Sequence, residues 1–521
     1  MMALRRSGHA WRLADLLAGY ATVGAGADIA VGDLALDSRQ VVPGTLFLAC
    51  QGGASHGMAD AEQARARGAV AIAAEPSAGW DAGALAKAAV RLGLPVVAVP
   101  GLAVHASALA DRFFGEPSRQ MGVIGVVGAS GKSSVAHLLA QSLAAETRCA
   151  LLAGIGVGFP GDLAQGPPLG RDPVAVQATL SGLRARGAQT VAIALPGEAL
   201  AAGRTAAVRC TQAVFTPAAA DGVTMPQGLL ATLPGLRSVV LNADDPASAS
   251  LLAGLAPGIA VALYGSTPAP PPGLRHDLWV GLRDLCHLPR GVRLSLIAHG
   301  VADGGAASVC GGAGGYQEAD LERPLLGTLN AGNLLAALAT LLARGLTLPA
   351  ALHALGKARA VPGRLEPFGG GGAPLVAVDC ARTPEALGRA IAELRRHGSG
   401  RLLTVFGCKG GQGPEQRAAM GAVAEAGSDL VIVTDDDPRG EDGDRIVAQI
   451  LGGMRDPGAA RVARQRGLAI RIALTLAGSA DRVLVAGKGQ DTVQDMGELK
   501  VRFSDRAQVA QALCEWTEGR R

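Results

Sequence analysis

Aromatic residues and net charge are both scarce in this chain of 521 residues. Only 3% of the residues are aromatic and 18% are charged, and the formal net charge is +4. No long run of lysine and arginine occurs, and no basic segment alternates with aromatic residues. The composition therefore gives no support to nucleic-acid binding, and no nucleic-acid partner is expected.

Long apolar runs and metal-type cysteine spacings are missing as well. The first apolar stretch is short and is interrupted by Asp15, which makes it a poor signal peptide. No run of about 18 uncharged apolar residues predicts a membrane span. The eight cysteines form no CxxC pair and no Cys/His pattern, so we expect reduced, buried thiols in a cytoplasmic protein.

Apolar runs of strand length alternate with helical patterns throughout the chain. In the first part, residues 34–39, 45–50, 69–75 and 94–100 predict strands, and a helix is predicted to end at Gly68. Later strands are predicted within the segments 123–127, 190–195, 213–216, 238–245, 374–380, 401–407, 430–435 and 482–489. This alternation is typical of βαβ units in parallel sheets.

The chain is long enough for about two to four domains. Composition shifts predict three: residues 1–118, 119–359 and 360–521. The expected fold class is α/β, with a central P-loop-type parallel sheet and a C-terminal Rossmann-like sheet. Segments 266–273 and 304–315 are rich in turn-forming residues and are interpreted as surface insertions.

A glycine-rich turn lies between the strand at 123–127 and an amphipathic helix. Such a turn lets backbone N–H groups approach phosphate, and the helix N-terminus adds positive potential. Lys132 can neutralise phosphate charge and Ser133 can ligate Mg²⁺. The spacing is the short GxxGK[ST] form, and the alternative is a tight turn with an incidental lysine. The predicted nucleotide-binding residues are Gly128, Ala129, Ser130, Gly131, Lys132, Ser133 and Ser134.

This loop, in a chain of three α/β units, resembles that of the Mur ligase family. Further similar segments are residues 36–49, 172–177, 241–246, 330–337 and 361–366, so the resemblance covers nearly the whole chain. It implies an ATP-dependent ligase of cell-wall synthesis that uses Mg²⁺ and forms an acyl phosphate. Other cell-wall synthesis enzymes are its expected partners.

The resemblance also implies roles for single residues. Asn330 and Arg364 would bind ATP, while Leu36, Ser38 and Arg204 would bind a UDP-muropeptide, together with residues 53–55. Local alternatives exist for two of these segments. Asp37 and Arg39 can simply close a turn, and Asn330 can cap the start of a helix.

The last domain resembles the family members that add meso-diaminopimelate to UDP-N-acetylmuramoyl-L-Ala-D-Glu. Two motifs carry this likeness: Asp-Asp-Pro-Arg after the strand at 430–434 and Gly-Lys-Gly-Gln-Asp after 482–486. By that likeness Arg439 would grip a carboxylate in bidentate fashion and Asp491 would face the amine. The alternative for the first motif is a solvated charge cluster. The implied amino-acid-binding residues are Asp436, Asp437, Pro438, Arg439, Gly487 and Asp491.

The chain departs from the family pattern where the metal ligands are expected. The family's Glu-Val-Ser-Ser-His segment matches residues 194–198, where Ala194 cannot bind a metal and Glu198 is the nearest substitute. In the next segment only Asp221 is retained. No lysine lies between Lys132 and Lys357, so the family's carbamoylated lysine has no counterpart. Lys132, Glu198 and Asp221 are therefore the candidate catalytic residues.

Three hypotheses follow from these departures. The chain is an active ligase with rearranged ligands, which would depend on Glu198 and Asp221. Alternatively, it is a catalytically impaired paralogue that binds nucleotide or UDP-muropeptide and regulates or partners a true ligase. The third is a sibling ligase for another acid and amine, with Arg382, Gln412 and Gln490 as altered selectors.

Overall fold

The computed structural model describes residues 10–52, 55–166, 170, 172–217, 230, 233–300 and 316–518. Several sequence predictions fall outside these residues: the candidate Asp221, most of the loop 53–55, and the insertion 304–315. The fold is mixed α/β and has three domains, as the sequence predicts.

The first domain is a small parallel sheet with helices on both faces. Its four strands pair in the order β3-β4-β5-β6, and a separate two-stranded ribbon joins β1 and β2. Every side chain of β4 is buried, which explains its continuous apolar sequence. The elements are β1 (Trp11–Arg12), α1 (Leu13–Leu17), β2 (Ala30–Val31), β3 (Asp33–Ala35), β4 (Thr45–Ala49), α2 (Ala61–Ala66), β5 (Ala69–Ala74), α3 (Ala82–Leu92), β6 (Val96–Ala98) and α4 (Leu102–Phe113).

The central domain is built on an 11-stranded sheet of order β10-β9-β8-β11-β7-β12-β13-β14-β15-β16-β17 among the described residues. The strands from β8 to β15 in this order run parallel, and both edges are antiparallel. Its strands are β7 (Gly122–Val127), β8 (Cys149–Ala153), β9 (Gly156–Phe159), β10 (Asp162–Ala164), β11 (Thr190–Ala194), β12 (Gln212–Phe215), β13 (Ser238–Asn242), β14 (Ala260–Gly265), β15 (Leu278–Leu288), β16 (Gly291–His299) and β17 (Gln317–Arg323). Its helices are α5 (Lys132–Leu143), α6 (Pro173–Ala185), α7 (Gly197–Ala201), α8 (Ala247–Ala253), α9 (Thr328–Ala343) and α10 (Leu348–Gly356).

The third domain is a six-stranded sheet of order β18-β19-β23-β20-β21-β22, in which only β18 is antiparallel, plus a hairpin of β24 and β25. Its strands are β18 (Glu366–Gly369), β19 (Leu375–Asp379), β20 (Leu402–Phe406), β21 (Leu430–Val433), β22 (Arg461–Val462), β23 (Arg482–Ala486), β24 (Val493–Asp495) and β25 (Lys500–Arg502). Its helices are α11 (Pro384–Arg395), α12 (Pro414–Gly427), α13 (Gly443–Leu451), α14 (Arg466–Leu476) and α15 (Asp505–Glu518).

The parallel strands place the sequence motifs at the carboxyl ends of the strands of two sheets, and each of these ends is called an edge below. The glycine-rich turn follows β7 in the central sheet, while the two C-terminal motifs follow β21 and β23 in the third. The carboxyl ends of parallel strands are where such sheets bind ligands. Among the described residues, no helix combines the length and the apolarity needed to cross a membrane.

Candidate functional site

The turn predicted to bind phosphate, called the phosphate turn below, is shaped by two glycines with positive φ angles. It lies between β7 and α5, with β11 and β12 on the two sides of β7. Gly128 has a φ of 142° and Gly131 a φ of 83°, a region that residues with a Cβ rarely adopt. A Cβ on Gly128 would overlap Thr216, and one on Gly131 would overlap the Asn333 side chain. Both glycines are therefore required for the turn.

The turn is held by the segment that follows β12. Thr216 Oγ1 donates to the Ser130 carbonyl at a distance of 2.5 Å. The Pro217 carbonyl accepts from the N–H of Ala129 at 3.0 Å. Lys132 Nζ folds back to donate to the Gly128 and Ala129 carbonyls. A phosphate ligand would replace these weak internal partners with an anion, which is the stronger acceptor for an ammonium group.

Helix α9 presses its first turns against the phosphate turn. Asn333 is almost fully buried, and its Nδ2 donates to Asn330 Oδ1 at 3.1 Å. Asn330 Nδ2 in turn donates to the Leu326 carbonyl. The helix begins at Thr328 with Gly327 at the N-cap, so the alternative that Asn330 caps the helix is wrong. Asn330 lies inside the first turn, close to the phosphate turn.

Charges from two domains converge on Lys132. Burial lowers the pKa of Lys132, the positive charge of Arg364 lowers it further, and Glu198 acts in the opposite direction. Arg364 follows Gly363, whose lack of a Cβ permits close contact with Gly489 and Gln490 of the third domain. The linker before β18 therefore lies between the phosphate turn and the third-domain motif.

The carboxyl end of β11 supplies few metal ligands. Ala194 is buried beside Val126 of β7, and Glu198 is exposed in the first turn of α7. No group of three or more His, Cys, Asp or Glu side chains able to hold a metal occurs among the described residues. Ser133 and Glu198 are the oxygen donors that the sequence and the structure leave near Lys132, and the metal role of Ser133 stays a prediction.

Acidic and basic side chains interlock at the third-domain edge. Asp436 and Asp437 are both buried, so the alternative of a solvated cluster is wrong for these two carboxylates. Lys488 Nζ donates to Asp437 Oδ1 at 2.7 Å, and Lys409 Nζ donates to the other oxygen of Asp437. Burial raises the pKa of Asp436. Burial alone would also raise the pKa of Asp437, but hydrogen bonds from Lys409 and Lys488 lower it to about 2.

Asp491 is also paired within the chain. It accepts from Arg382 Nη2 and from Lys409 Nζ, the latter at 3.4 Å. Arg382 Nε additionally donates to the Gly487 carbonyl at 3.0 Å. Arg439, in contrast, is exposed, with a φ of 53° and its backbone N–H donating to the Asp495 carbonyl. Its guanidinium faces solvent at the same edge and is available to a carboxylate.

The residues predicted to bind UDP-muropeptide lie in two domains: Leu36 and Ser38 in the first, and Arg204 in the central one, where its partner Gly170 lies beside Glu198. Ser38 is buried and its hydroxyl donates to Gln63 Oε1 at 2.5 Å, while Leu36 is half-buried beside it. Asp37 accepts from the backbone N–H and guanidinium of Arg39, so the turn-closing role of this pair is confirmed. In the central domain, Arg204 is exposed and donates to the Gly170 carbonyl at 2.5 Å.

Two contributors to the edges were missed by sequence reasoning. Lys409 bridges Asp437 and Asp491, and Thr216 fastens the phosphate turn. Thr216 is the last residue of a predicted strand, and Lys409 follows another by two residues. Their position at the carboxyl end of parallel strands was the available signal.

The fold and the turn after β7 define a three-domain α/β protein of the phosphate-binding-loop class. A family model described as Mur ligase, glutamate ligase domain, matches residues 363–489. A curated relative from Alkalilimnicola ehrlichii, UDP-N-acetylmuramoyl-L-alanyl-D-glutamate–2,6-diaminopimelate ligase, is 39% identical over 97% of this chain and 99% of its own length. The chain therefore belongs to the Mur ligase family.

Solved structures agree with this fold. A structure of a UDP-N-acetylmuramoyl-L-alanyl-D-glutamate–2,6-diaminopimelate ligase superposes with a TM-score of 0.65 at 24% identity, covering 98% of this chain and 100% of its own. A MurF ligase from Thermotoga maritima in complex with ADP gives a TM-score of 0.55 at 16% identity, covering 94% and 98%. At these identities the likeness concerns the fold.

Proposed function

We propose that this chain is an ATP-dependent ligase that joins a diamino acid, of the diaminopimelate type, to UDP-N-acetylmuramoyl-L-Ala-D-Glu. In this proposal residues 1–118 bind the UDP end, 119–359 bind ATP and 360–521 bind the amino acid. The near-complete match to a curated ligase of that name supports the substrate pair.

The observation that carries the proposal is a contact between two domains. The phosphate turn of the central domain lies near the residues that follow β21 and β23 in the third domain, called the amino-acid edge. Arg364 lies close enough to Lys132 to lower its pKa, and the adjacent Gly363 packs on Gly489. Gln490 Nε2 donates to the Gly154 carbonyl of the central domain at 3.4 Å. The phosphate turn and the amino-acid edge thus lie next to each other, as a ligase requires because the activated acid and the amine must meet.

The chemistry assigned to this site has two steps. The substrate carboxylate attacks the γ-phosphorus of ATP, giving an acyl phosphate and ADP. The amine then attacks the acyl carbon, a proton leaves the nitrogen, and inorganic phosphate departs as the amide forms. Lys132, Arg364 and the backbone N–H groups of Gly131 and Lys132 would hold the phosphate oxygens, where negative charge collects, since the N–H groups of Ala129 and Ser130 donate to the Pro217 carbonyl.

Mg²⁺ fits this site as an ion carried mainly by the triphosphate. Mg²⁺ keeps several waters and commonly takes only one or two protein oxygens besides phosphate. Ser133 and Glu198 would be its protein ligands here, and Asp221, the third candidate from the sequence, lies outside the described residues. The ion would neutralise charge on the phosphate oxygens.

Amino-acid binding would proceed by exchange of ion pairs. Asp491 already pairs with Arg382 and Lys409, so an incoming ammonium group must replace an internal cation. Arg439 is free to hold the ligand's carboxylate, and Asp436, Asp437, Pro438 and Gly487 would shape the remaining wall. Exposed ion pairs are weak, so exchange at the half-exposed Asp491 costs little.

The test is a ligation assay with ATP, Mg²⁺, UDP-N-acetylmuramoyl-L-Ala-D-Glu and meso-diaminopimelate, read as tripeptide product by mass and as ADP release. The expected result is ATP-dependent product that Lys132→Ala abolishes. Lys357→Ala is the matched control, because Lys357 is an exposed lysine of the same domain at the end of α10. Absence of product from the intact chain at saturating substrates would refute the ligase function.

A second candidate function is binding without turnover, as a regulator or partner of an active ligase. The observation that favours it is Ala194, which is buried at the strand end beside the phosphate turn and offers no ligand. This candidate predicts ATP or UDP-muropeptide binding by calorimetry with no product in the assay above. Product formation would exclude it, and loss of product in Glu198→Ala would identify the rearranged-ligand form of the ligase.

A further inference from the structure

The first turn of α9 is capped by side chains from another domain. Gly327 is the N-cap residue and has no side chain that could accept from the helix N–H groups, and its φ of 88° favours glycine. Its N–H donates to His397 Nε2 at 2.9 Å, and the N–H of Thr328 donates to Glu393 Oε2 at 2.8 Å. His397 and Glu393 belong to α11 and the residues just after it, in the third domain. Two of the four open N–H groups of α9 are therefore satisfied across the domain boundary.

The hydrogen bonds of His397 fix its tautomer. Its Nδ1 donates to the Leu288 carbonyl of β15 at 2.7 Å, so Nε2 carries no proton and accepts from Gly327. The ring is almost fully buried. Protonating Nε2 would remove the acceptor and set a donor against the Gly327 N–H. The cap thus exists only while His397 is neutral.

Apolar packing anchors the same junction. Leu326, directly before Gly327, is fully buried in the core of the third domain, together with Leu387, Ile391 and Leu394 of α11. The start of α9 is therefore tied to the third domain by packing as well as by hydrogen bonds. A shift of α11 would move the first turn of α9.

That first turn reaches the phosphate-binding site. Asn330 follows Thr328 by two residues, and Asn333 lies one turn further on, where its side chain fills the space beside Gly131. The orientation of Asn333 sets the shape of the turn that would hold phosphate. The cap on α9 and the phosphate turn are separated by less than two turns of helix.

We propose that His397 and Glu393 are positioning residues for the nucleotide site: from the third domain they cap α9 and so hold Asn333 against Gly131. ATP binding then depends on the protonation state of His397. The inference builds on the proposed ATP-binding function.

Several charged groups surround His397. The ring of His287 in β15 meets it edge to face, with 5.2 Å between the ring centroids. Glu393 of α11 and Arg482 of β23 are close enough to act on its pKa. Arg396 completes the set through Thr328, to which it donates at 3.4 Å. Burial is the largest cause and lowers the pKa of His397, while the hydrogen bond to the Leu288 carbonyl opposes it. The charges of His287 and Arg482 lower this pKa further and that of Glu393 raises it, so that the net direction is downward. The neutral, capping form therefore persists to more acidic pH than for a free histidine.

The experiment measures ATP affinity by calorimetry between pH 7.5 and 4.5 in the full chain, because the lowered pKa of His397 places its protonation in the acidic part of this range. His397→Ala removes the acceptor and should weaken ATP binding at every pH, on the order of three- to tenfold, the range of a lost helix cap. His397→Gln retains an oxygen acceptor that cannot titrate, so it should bind nearly as well as the unmodified chain at pH 7.5. It should also lose less affinity as the pH falls. His353→Gln is the control, because His353 is an exposed histidine in α10 of the central domain, outside the cap.

Hydrogen exchange of residues 327–333 supplies a reading that does not depend on ATP. His397→Ala should speed exchange in that segment while leaving α10 unchanged. If the unmodified chain binds no ATP, the proposed function fails, yet the faster exchange would still support the positioning role. ATP affinity and exchange both unchanged in His397→Ala would overturn the inference. So would His397→Gln with the acid sensitivity of the unmodified chain.

Discussion

The buried ion pair behind the amino-acid edge gives a sharp stability prediction. Arg466 opens α14 and Asp505 opens α15, and both side chains are fully buried. Arg466 Nε and Nη2 donate to the two carboxylate oxygens of Asp505 at 2.7 and 2.8 Å. The same Nη2 donates to the Ala486 carbonyl, one residue before Gly487. Removing Asp505 would leave a guanidinium in the core without its counter-charge.

The expected cost of Asp505→Ala is about 3–5 kcal/mol of unfolding free energy, because breaking one half of a buried pair leaves an uncompensated charge. The measurement is urea unfolding at pH 7, followed by circular dichroism. Glu318→Ala is the comparison: it breaks the exposed pair with Arg283 and should cost less than about 1 kcal/mol. The double variant Arg466→Met, Asp505→Leu removes both charges and should recover most of the loss. A shift for Asp505→Ala no larger than for Glu318→Ala would refute this reasoning.

The remaining predictions concern the phosphate turn and two buried titratable groups. Gly131→Ala should weaken ATP binding more than tenfold in calorimetry, since the Cβ overlaps Asn333 at a φ of 83°, whereas Gly332→Ala, with open space around it, should bind normally. Burial lowers the pKa of His137 to about 4 in the folded chain, so on acidification the unfolded chain binds this proton first. The free energy of unfolding should therefore fall by about 2–3 kcal/mol as the pH drops from about 6.5 to 4. Urea unfolding should show this loss in the unmodified chain and not in His137→Leu. Burial and the nearby Glu116 raise the pKa of Asp111 to about 6, so its ionised form opposes folding above that pH; Asp111→Asn should unfold at higher urea than the unmodified chain at pH 8, with the difference shrinking toward pH 4.

Strands with continuous apolar sequences were predictable because their side chains are buried on both faces. All of the predicted parallel strands appear, among them β4, β7, β21 and β23. The strands β8, β14, β15, β16 and β17 were not predicted. In β16 and β17 burial alternates, with exposed residues such as Arg293 on one face, so these two strands lack an apolar run. Such strands are fixed by pairing with each other, which a local pattern does not reveal.

The phosphate turn was predictable for a related reason: its glycines act through their own backbone angles. The charge pairing at the third-domain edge was not. Lys409 meets Asp437 and Asp491, which lie 28 and 82 residues away along the chain, and it does so because β20, β21 and β23 end side by side. The motif containing Asp491 predicted a carboxylate that faces the incoming amine. In the fold this carboxylate is already paired with two side chains, Arg382 and Lys409. If this edge binds the amino acid, as proposed, the ligand's ammonium group has to compete with Arg382 and Lys409 for Asp491. The competing cations are placed there by the sheet order rather than by any one motif.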